Sequence, residues 1–204
     1  MIAIVDYGLG NIRAFGNIYN RLNIPFVYAS TVESLKGASG IILPGVGSFD
    51  YAMHKLNESG LRETLDDLVL NEKVPIIGIC VGMQMMAMKS DEGNSEGLAW
   101  LKTAVRKFET KENYPLPHMG WNQLSLLENP IFKDLEEKPE FYFLHSYHFD
   151  SDYEHVIASA EYSNSIGCVV NKDNIFGIQC HPEKSHKAGI TVLKNFAEVA
   201  NAQV

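Results

Sequence analysis

Residues 74–86 read VPIIGICVGMQMM, and a lone cysteine sits where two rhythms meet. Val74-Pro75-Ile76-Ile77-Gly78-Ile79 is short, apolar and β-branched, as a buried strand is. Val81-Gly82-Met83-Gln84-Met85-Met86-Ala87-Met88 is rich in long unbranched side chains, which suit a helix. Cys80 stands between them, with Gly78 two residues before it and Gly82 two residues after. This is the G-x-nucleophile-x-G shape of a nucleophile elbow. A turn that sharp leaves no room for side chains at the flanking positions. It places the sulfur at the carboxyl end of the sheet and at a helix N-terminus, where partial positive charge favours a thiolate. The Val81 amide is then positioned to donate to a developing oxyanion.

The rest of the chain supplies the matching architecture. Ile2–Asp6, Pro25–Ala29 and Gly40–Leu43 read as short strands. Between them, Ile12, Phe15, Ile18, Tyr19 and Leu22 recur at helical spacing. Thr31 and Ser48 are positioned as N-caps, and a further helix is expected from about Leu61 to Leu70. Alternating strands and helices predict a parallel sheet covered on both faces. From about Leu98 the strands shorten and crowd, around Ala104–Phe108, Glu140–His145, His155–Ala160, Gly167–Asn171 and Ile175–Gln179. These predict antiparallel hairpins added to the parallel core, with a turn at Asp173-Asn174. A last helix is expected near Ala188 to Ala200. The fold class is therefore α/β: a parallel-core sheet flanked by helices, with added antiparallel strands. No linker interrupts the chain, so one domain is expected over residues 1–204.

Composition narrows the function. The formal net charge is -8, which argues against a nucleic-acid partner. No apolar run reaches the roughly 20 residues of a membrane span, and the start reads as a strand rather than a signal peptide. Cys80, Cys168 and Cys180 show no CxxC spacing, which predicts a reducing, cytoplasmic setting without disulfides or structural zinc.

A cysteine nucleophile needs a base held by a third group. His181-Pro182-Glu183 follows the strand that ends at Gln179, and residues two apart on an extended segment share a side. His181 as base and Glu183 as its orienter complete a triad with Cys80. Pro44-Gly45-Val46-Gly47 ends a strand and offers free backbone amides for the second oxyanion donor. Gln84 lies one helical turn from Cys80 and can face the pocket. His145, His148 and His155 lack a cysteine or carboxylate cluster, so structural roles are expected and no metal. Tyr7-Gly8-Leu9-Gly10-Asn11-Ile12-Arg13 begins like a dinucleotide fingerprint but carries Arg13 where the third glycine belongs, so no nucleotide cofactor is expected. Cys180 lacks an elbow, which points to packing.

Together, Gly78-Ile79-Cys80-Val81-Gly82-Met83-Gln84 and His181-Pro182-Glu183 resemble the class I (triad) glutamine amidotransferases. Pro44–Phe49, Pro117-His118-Met119-Gly120-Trp121-Asn122, Tyr142–Tyr147 and His181–Ser185 narrow the resemblance to the glutaminase subunits of imidazole glycerol phosphate synthase. It runs from about Met1 to Ala200. It implies hydrolysis of L-glutamine to glutamate and ammonia by Cys80, His181 and Glu183, without a cofactor. It implies oxyanion donors at Val81, Val46 and Gly47, and glutamine binding by Gly45, Gln84, Ser146 and Tyr147. It further implies a heterodimer with a (β/α)8-barrel cyclase subunit of histidine biosynthesis, contacted near Met119, Trp121 and Lys184, to which the ammonia passes. Two departures stand out: Val81 replaces a usual leucine, and Cys180 a usual phenylalanine. A paralogous branch, supplying ammonia for an amidino sugar of surface polysaccharides, remains open at this point.

Overall fold

The computed structural model describes residues 1–109 and 111–202. The amino-terminal half alternates as expected. The elements are β1 (Ile2–Val5), α1 (Ile12–Arg21), β2 (Phe26–Ala29), α2 (Val32–Leu35), β3 (Gly40–Gly45), α3 (Phe49–Glu58), α4 (Arg62–Leu70), β4 (Ile76–Cys80) and α5 (Val81–Met85). Both anticipated caps form. Thr31 and Ser34 make a reciprocal capping box on α2, and the Ser48 side chain accepts from the Tyr51 amide on α3. The carboxyl-terminal half adds β5 (Lys89–Ser90), β6 (Ala104–Lys107), β7 (His118–Gln123), β8 (Ser125–Leu126), β9 (Glu140–His145), β10 (Tyr147–Asp150), β11 (Val156–Tyr162), β12 (Asn164–Lys172), β13 (Ile175–Ile178) and α6 (His186–Ala202).

An 11-stranded sheet runs β2-β1-β3-β4-β13-β12-β10-β6-β5, with β11 and β8 joined through β12. β2, β1, β3, β4 and β13 are mutually parallel, and their side chains form one apolar core with α1, α3, α4 and α6. The strands β1, β3, β4 and β13 are buried throughout, as central strands of a covered parallel sheet are.

Four details differ from the sequence reading. The sequence pattern groups β13 with the antiparallel additions. It does pair antiparallel with β12 across the Asp173-Asn174 turn, but it also pairs parallel with β4 and so joins the core. β3 does not stop at Pro44 but continues through Gly45, which lies opposite Cys80. β1 pairs β3 only as far as Ile42, so the missing N–H of Pro44 costs no ladder bond on that side. The helix after Cys80 ends at Met85, giving a single short turn rather than a helix through Met88. Pro117–Asn122, whose proline and glycine give no strand pattern in the sequence, is mostly strand. β7 pairs antiparallel with β9 in a separate 2-stranded sheet, with His118 opposite His145 and Trp121 opposite Tyr142.

Candidate active site

Cys80 ends β4 with φ 53° and ψ −113°, a strained conformation for a side-chain-bearing residue. The flanking glycines explain how it is held. A Cβ on Gly82 would lie 2.0 Å from the Leu43 carbonyl oxygen, and one on Gly78 would lie 2.6 Å from the Gly82 carbonyl oxygen. A Cβ on Gly45 would meet the Gly82 amide nitrogen at 2.3 Å. The elbow is therefore pressed between β3 and β4, and only glycine fits at its contacts.

His181 follows β13 and caps a 3₁₀ turn over Pro182–Lys184. That turn, not strand alternation, brings Glu183 back to the imidazole. His181 Nδ1 donates to Glu183 Oε1 at 3.0 Å, which leaves Nε2 free to serve Cys80, its neighbour in the cleft wall. Both His181 and Glu183 are buried. Burial opposes a charged imidazole, but the hydrogen bonds and charges of Cys80 and Glu183 outweigh it and raise His181 to about 9.

Cys80 and His181 line an open cleft of about 310 Å³, in the range of small-molecule sites. Val81, Val46 and Gly47 line it with Gln84, Ser146, Tyr147 and Lys184. Gly45 lies behind, in register with Cys80. Among the residues assigned to a partner interface, Met119 is 65% exposed and Trp121 is 48% exposed. Trp121 stacks on His186 at 5.1 Å between ring centres, and the Lys184 ammonium lies 5.6 Å from the centre of the Tyr142 ring.

Several site residues escape the sequence reading. Glu92 also lines the cleft, while its Oε2 accepts from the Phe49 amide at 2.7 Å. It lies in a loop without periodicity, and no motif marks it. Gln179 reaches Cys80 from the end of β13. Its only signal is a polar residue closing an apolar strand two positions before His181. The Tyr7 hydroxyl donates to the Pro44 carbonyl at 2.6 Å, so the Tyr7–Arg13 segment, with its partial dinucleotide fingerprint, grips the start of the Gly45–Gly47 segment.

Cys168, Cys180 and the imidazoles of His118, His145 and His148 are buried. Cys168 and Cys180 are fully buried, and burial pushes both thiols up. His145 Nδ1 donates to the Tyr147 carbonyl at 2.7 Å, so its Nε2 accepts from His118 Nδ1 at 2.9 Å. Burial pulls His118 down to about 4 and His145 to about 3, keeping this pair neutral. His148 packs against Phe108 at 4.4 Å between ring centres. These are the structural roles expected of His145 and His148.

A cysteine on a strand–helix elbow, beside a carboxylate-held histidine at the carboxyl ends of parallel strands, defines a class of cysteine-dependent α/β enzymes. The family model for glutamine amidotransferase class-I matches residues 11–200. An imidazole glycerol phosphate synthase subunit HisH from Bdellovibrio bacteriovorus is 53% identical, covering 98% of this chain and 100% of the relative. Another of the same name, from Leptospira borgpetersenii, is 48% identical with the same coverage. A solved structure described as a glutamine amidotransferase superposes with a TM-score of 0.77 at 18% identity, over 98% of each chain, a likeness of fold. The chain belongs to the class-I glutamine amidotransferase family and, within it, to the HisH-type subunits of imidazole glycerol phosphate synthase. It is thus a glutaminase-type enzyme that works as one subunit of a larger synthase.

Proposed function

We propose that this chain, as one domain over residues 1–204, hydrolyses L-glutamine with Cys80, His181 and Glu183. The ammonia passes to a cyclase partner that makes imidazole glycerol phosphate. The observation that carries the reading is His181, which shares the wall of the cleft with Cys80 and is held from behind by Glu183 at 3.0 Å. The names of the relatives support the histidine-pathway branch and give no support to the sugar-amidating one.

The Cys80 thiolate attacks the side-chain carboxamide carbon. A C–S bond forms, and the carbonyl π electrons move onto oxygen. That oxyanion accepts from the Val81 amide and from amides of the Val46–Gly47 segment. As the C–N bond breaks, His181 gives its proton to the departing nitrogen, which leaves as ammonia. Water then attacks the thioester, with His181 taking its proton. Glutamate leaves, and the electron pair of the C–S bond returns to sulfur. Throughout, the Glu183 carboxylate holds Nδ1, orients the ring and supports its charge.

Glutamine's other end is recognised by charge. Glu92 is a carboxylate facing the cleft and suits the α-ammonium group. Ser146, Tyr147 and Gln84 supply polar atoms beside it. The partner is a (β/α)8-barrel cyclase in a heterodimer in the cytoplasm. No described helix is long and apolar enough to cross a membrane.

The deciding experiment measures glutamate release by the chain alone, then with the cyclase of the same organism and that cyclase's nucleotide substrate, with Cys80→Ala as the blank. Strong stimulation, and a loss of roughly 10⁴-fold or more in Cys80→Ala, is expected. Retained activity in Cys80→Ala rejects the nucleophile. Absence of stimulation rejects the cyclase.

A further inference from the structure

We propose that Gln179 is a further catalytic residue, a buried amide that donates to the Cys80 sulfur and stabilises its thiolate. The side chain lies between Gln84 and Cys80 and is fully buried. Its orientation follows from its neighbours. Gln84 Nε2 donates to the Tyr147 carbonyl at 3.2 Å and to Gln179 Oε1 at 2.9 Å, so both of its protons have acceptors. With Oε1 committed to Gln84, Gln179 must turn Nε2 to the other side. There it lies 3.7 Å from Cys80 Sγ, within reach of an N–H···S hydrogen bond. The Gln179 backbone is fixed as well, because its amide donates to the Cys168 carbonyl at 2.8 Å. The two amides thus form a directed chain with its donor end at the sulfur.

The direction matters because the sulfur also faces a backbone oxygen. The Leu144 carbonyl lies 4.0 Å from Sγ and can only accept. It suits the neutral thiol and opposes the thiolate. Gln179 supplies an uncharged donor whose proton does not leave at working pH, while His181 must give its proton to the departing ammonia. When the thioester breaks and the electron pair returns to sulfur, Gln179 still offers its N–H. The arrangement also limits Gln84. With both protons engaged, only its Oε1 is free to meet glutamine, so it accepts from the substrate and does not donate to it.

The role in glutamine turnover rests on the function proposed above, but the effect on the thiol does not. The test is therefore alkylation of the full chain by iodoacetamide across a pH series, beside glutamate release. Cys168 and Cys180 are buried, and Cys80→Ala gives the blank for any labelling there. Gln179→Met removes the donor at similar size. Gln179→Glu keeps an acceptor for Gln84 while removing the donor amide. At neutral pH, alkylation of both variants is expected to slow by about tenfold, the lower end for loss of a hydrogen bond to a charged group. The pH midpoint of alkylation should move up in both, and kcat for glutamate release should fall in parallel. Wild-type alkylation rate and midpoint in either folded variant would overturn the proposal. If Gln179→Met does not fold, Gln179→Glu, with its Gln84 contact intact, decides. A wild-type chain that alkylates but never releases glutamate would reject the proposed function and leave the Gln179 comparison readable.

Discussion

His181 is held between a thiol and a carboxylate, and its protonation is the most direct consequence of that placement. Burial alone would discharge the ring, yet the hydrogen bonds and charges of Cys80 and Glu183 raise it to about 9. The sign follows from the folded value lying above the ordinary 6.5. The stability this interaction contributes is fully present below about pH 6.5 and is lost as pH rises through about 9. In the proposed reaction the same proton is the one delivered to the departing ammonia, so glutamine turnover should fall on an alkaline limb near pH 9. Glu183→Gln removes a charge that helps hold the proton. Its alkaline limb should move to lower pH, and kcat should drop by at least about tenfold. A pH–rate profile of the cyclase complex reads both, and a limb that stays in place in Glu183→Gln would show that Glu183 does not set the His181 charge.

At the scale of elements, the elbow is legible in the sequence because its determinants are local. Glycines at fixed distances from a cysteine, between a β-branched run and a methionine-rich one, report a strand–helix corner without reference to the rest of the chain. The Thr31 and Ser48 caps are legible for the same reason. What the sequence does not show depends on partners far away in the chain. β13 belongs to the parallel core because β4 lies on its other edge, and nothing between residues 175 and 178 announces that neighbour. β7 is hidden by Pro117 and Gly120, although its alternation of buried His118 with exposed Met119 and Trp121 marks a strand with one face outward. Glu92 and Gln179 enter the site through tertiary contact alone. The Tyr7 contact is of this kind and has a measurable consequence. Its hydroxyl fixes the Pro44 carbonyl, and the Gly10 Cα packs so closely that a Cβ there would meet Pro44 Cβ at 2.6 Å. The segment proposed to hold the oxyanion thus has one anchored end at Pro44, beyond which Gly47 adopts φ +84°. Tyr7→Phe leaves a buried carbonyl without its donor, at a cost of about 1–3 kcal/mol. The expected result is a lower melting temperature and a kcat reduced several-fold with KM nearly unchanged. An unchanged kcat would mean that the segment is held without Tyr7.

At the scale of the whole molecule, the cleft and the exposed apolar face are continuous. β7 and β9 pair Met119 with Leu144 and Trp121 with Tyr142, and Leu144 also lines the cleft. Lys184 belongs to both as well, since it lines the cleft and lies over the Tyr142 ring. His186 extends the face by stacking on Trp121. A partner seated on this face would cover the mouth of the cleft, which is what the proposed transfer of ammonia to a partner requires. The inner side of β7 is tied down separately. His118 bonds His145, and the Asn122 side chain donates to the Glu161 carbonyl at 3.0 Å. The outer residues can therefore be truncated without loosening the strand. Large exposed aromatics at the centre of such faces carry much of the binding energy, with truncation costing about 2 kcal/mol or more. Trp121→Ala should weaken association with the cyclase by more than about tenfold and raise the cyclase concentration needed for half-maximal stimulation by a similar factor. Glutamate release by the isolated chain should stay within about twofold of wild type, because Trp121 does not line the cleft. Titration of the variant with cyclase, followed by glutamate release and by calorimetry, separates the two effects. Unchanged affinity would move the docking face elsewhere on the molecule, and a loss of basal activity would show that β7 supports the cleft directly.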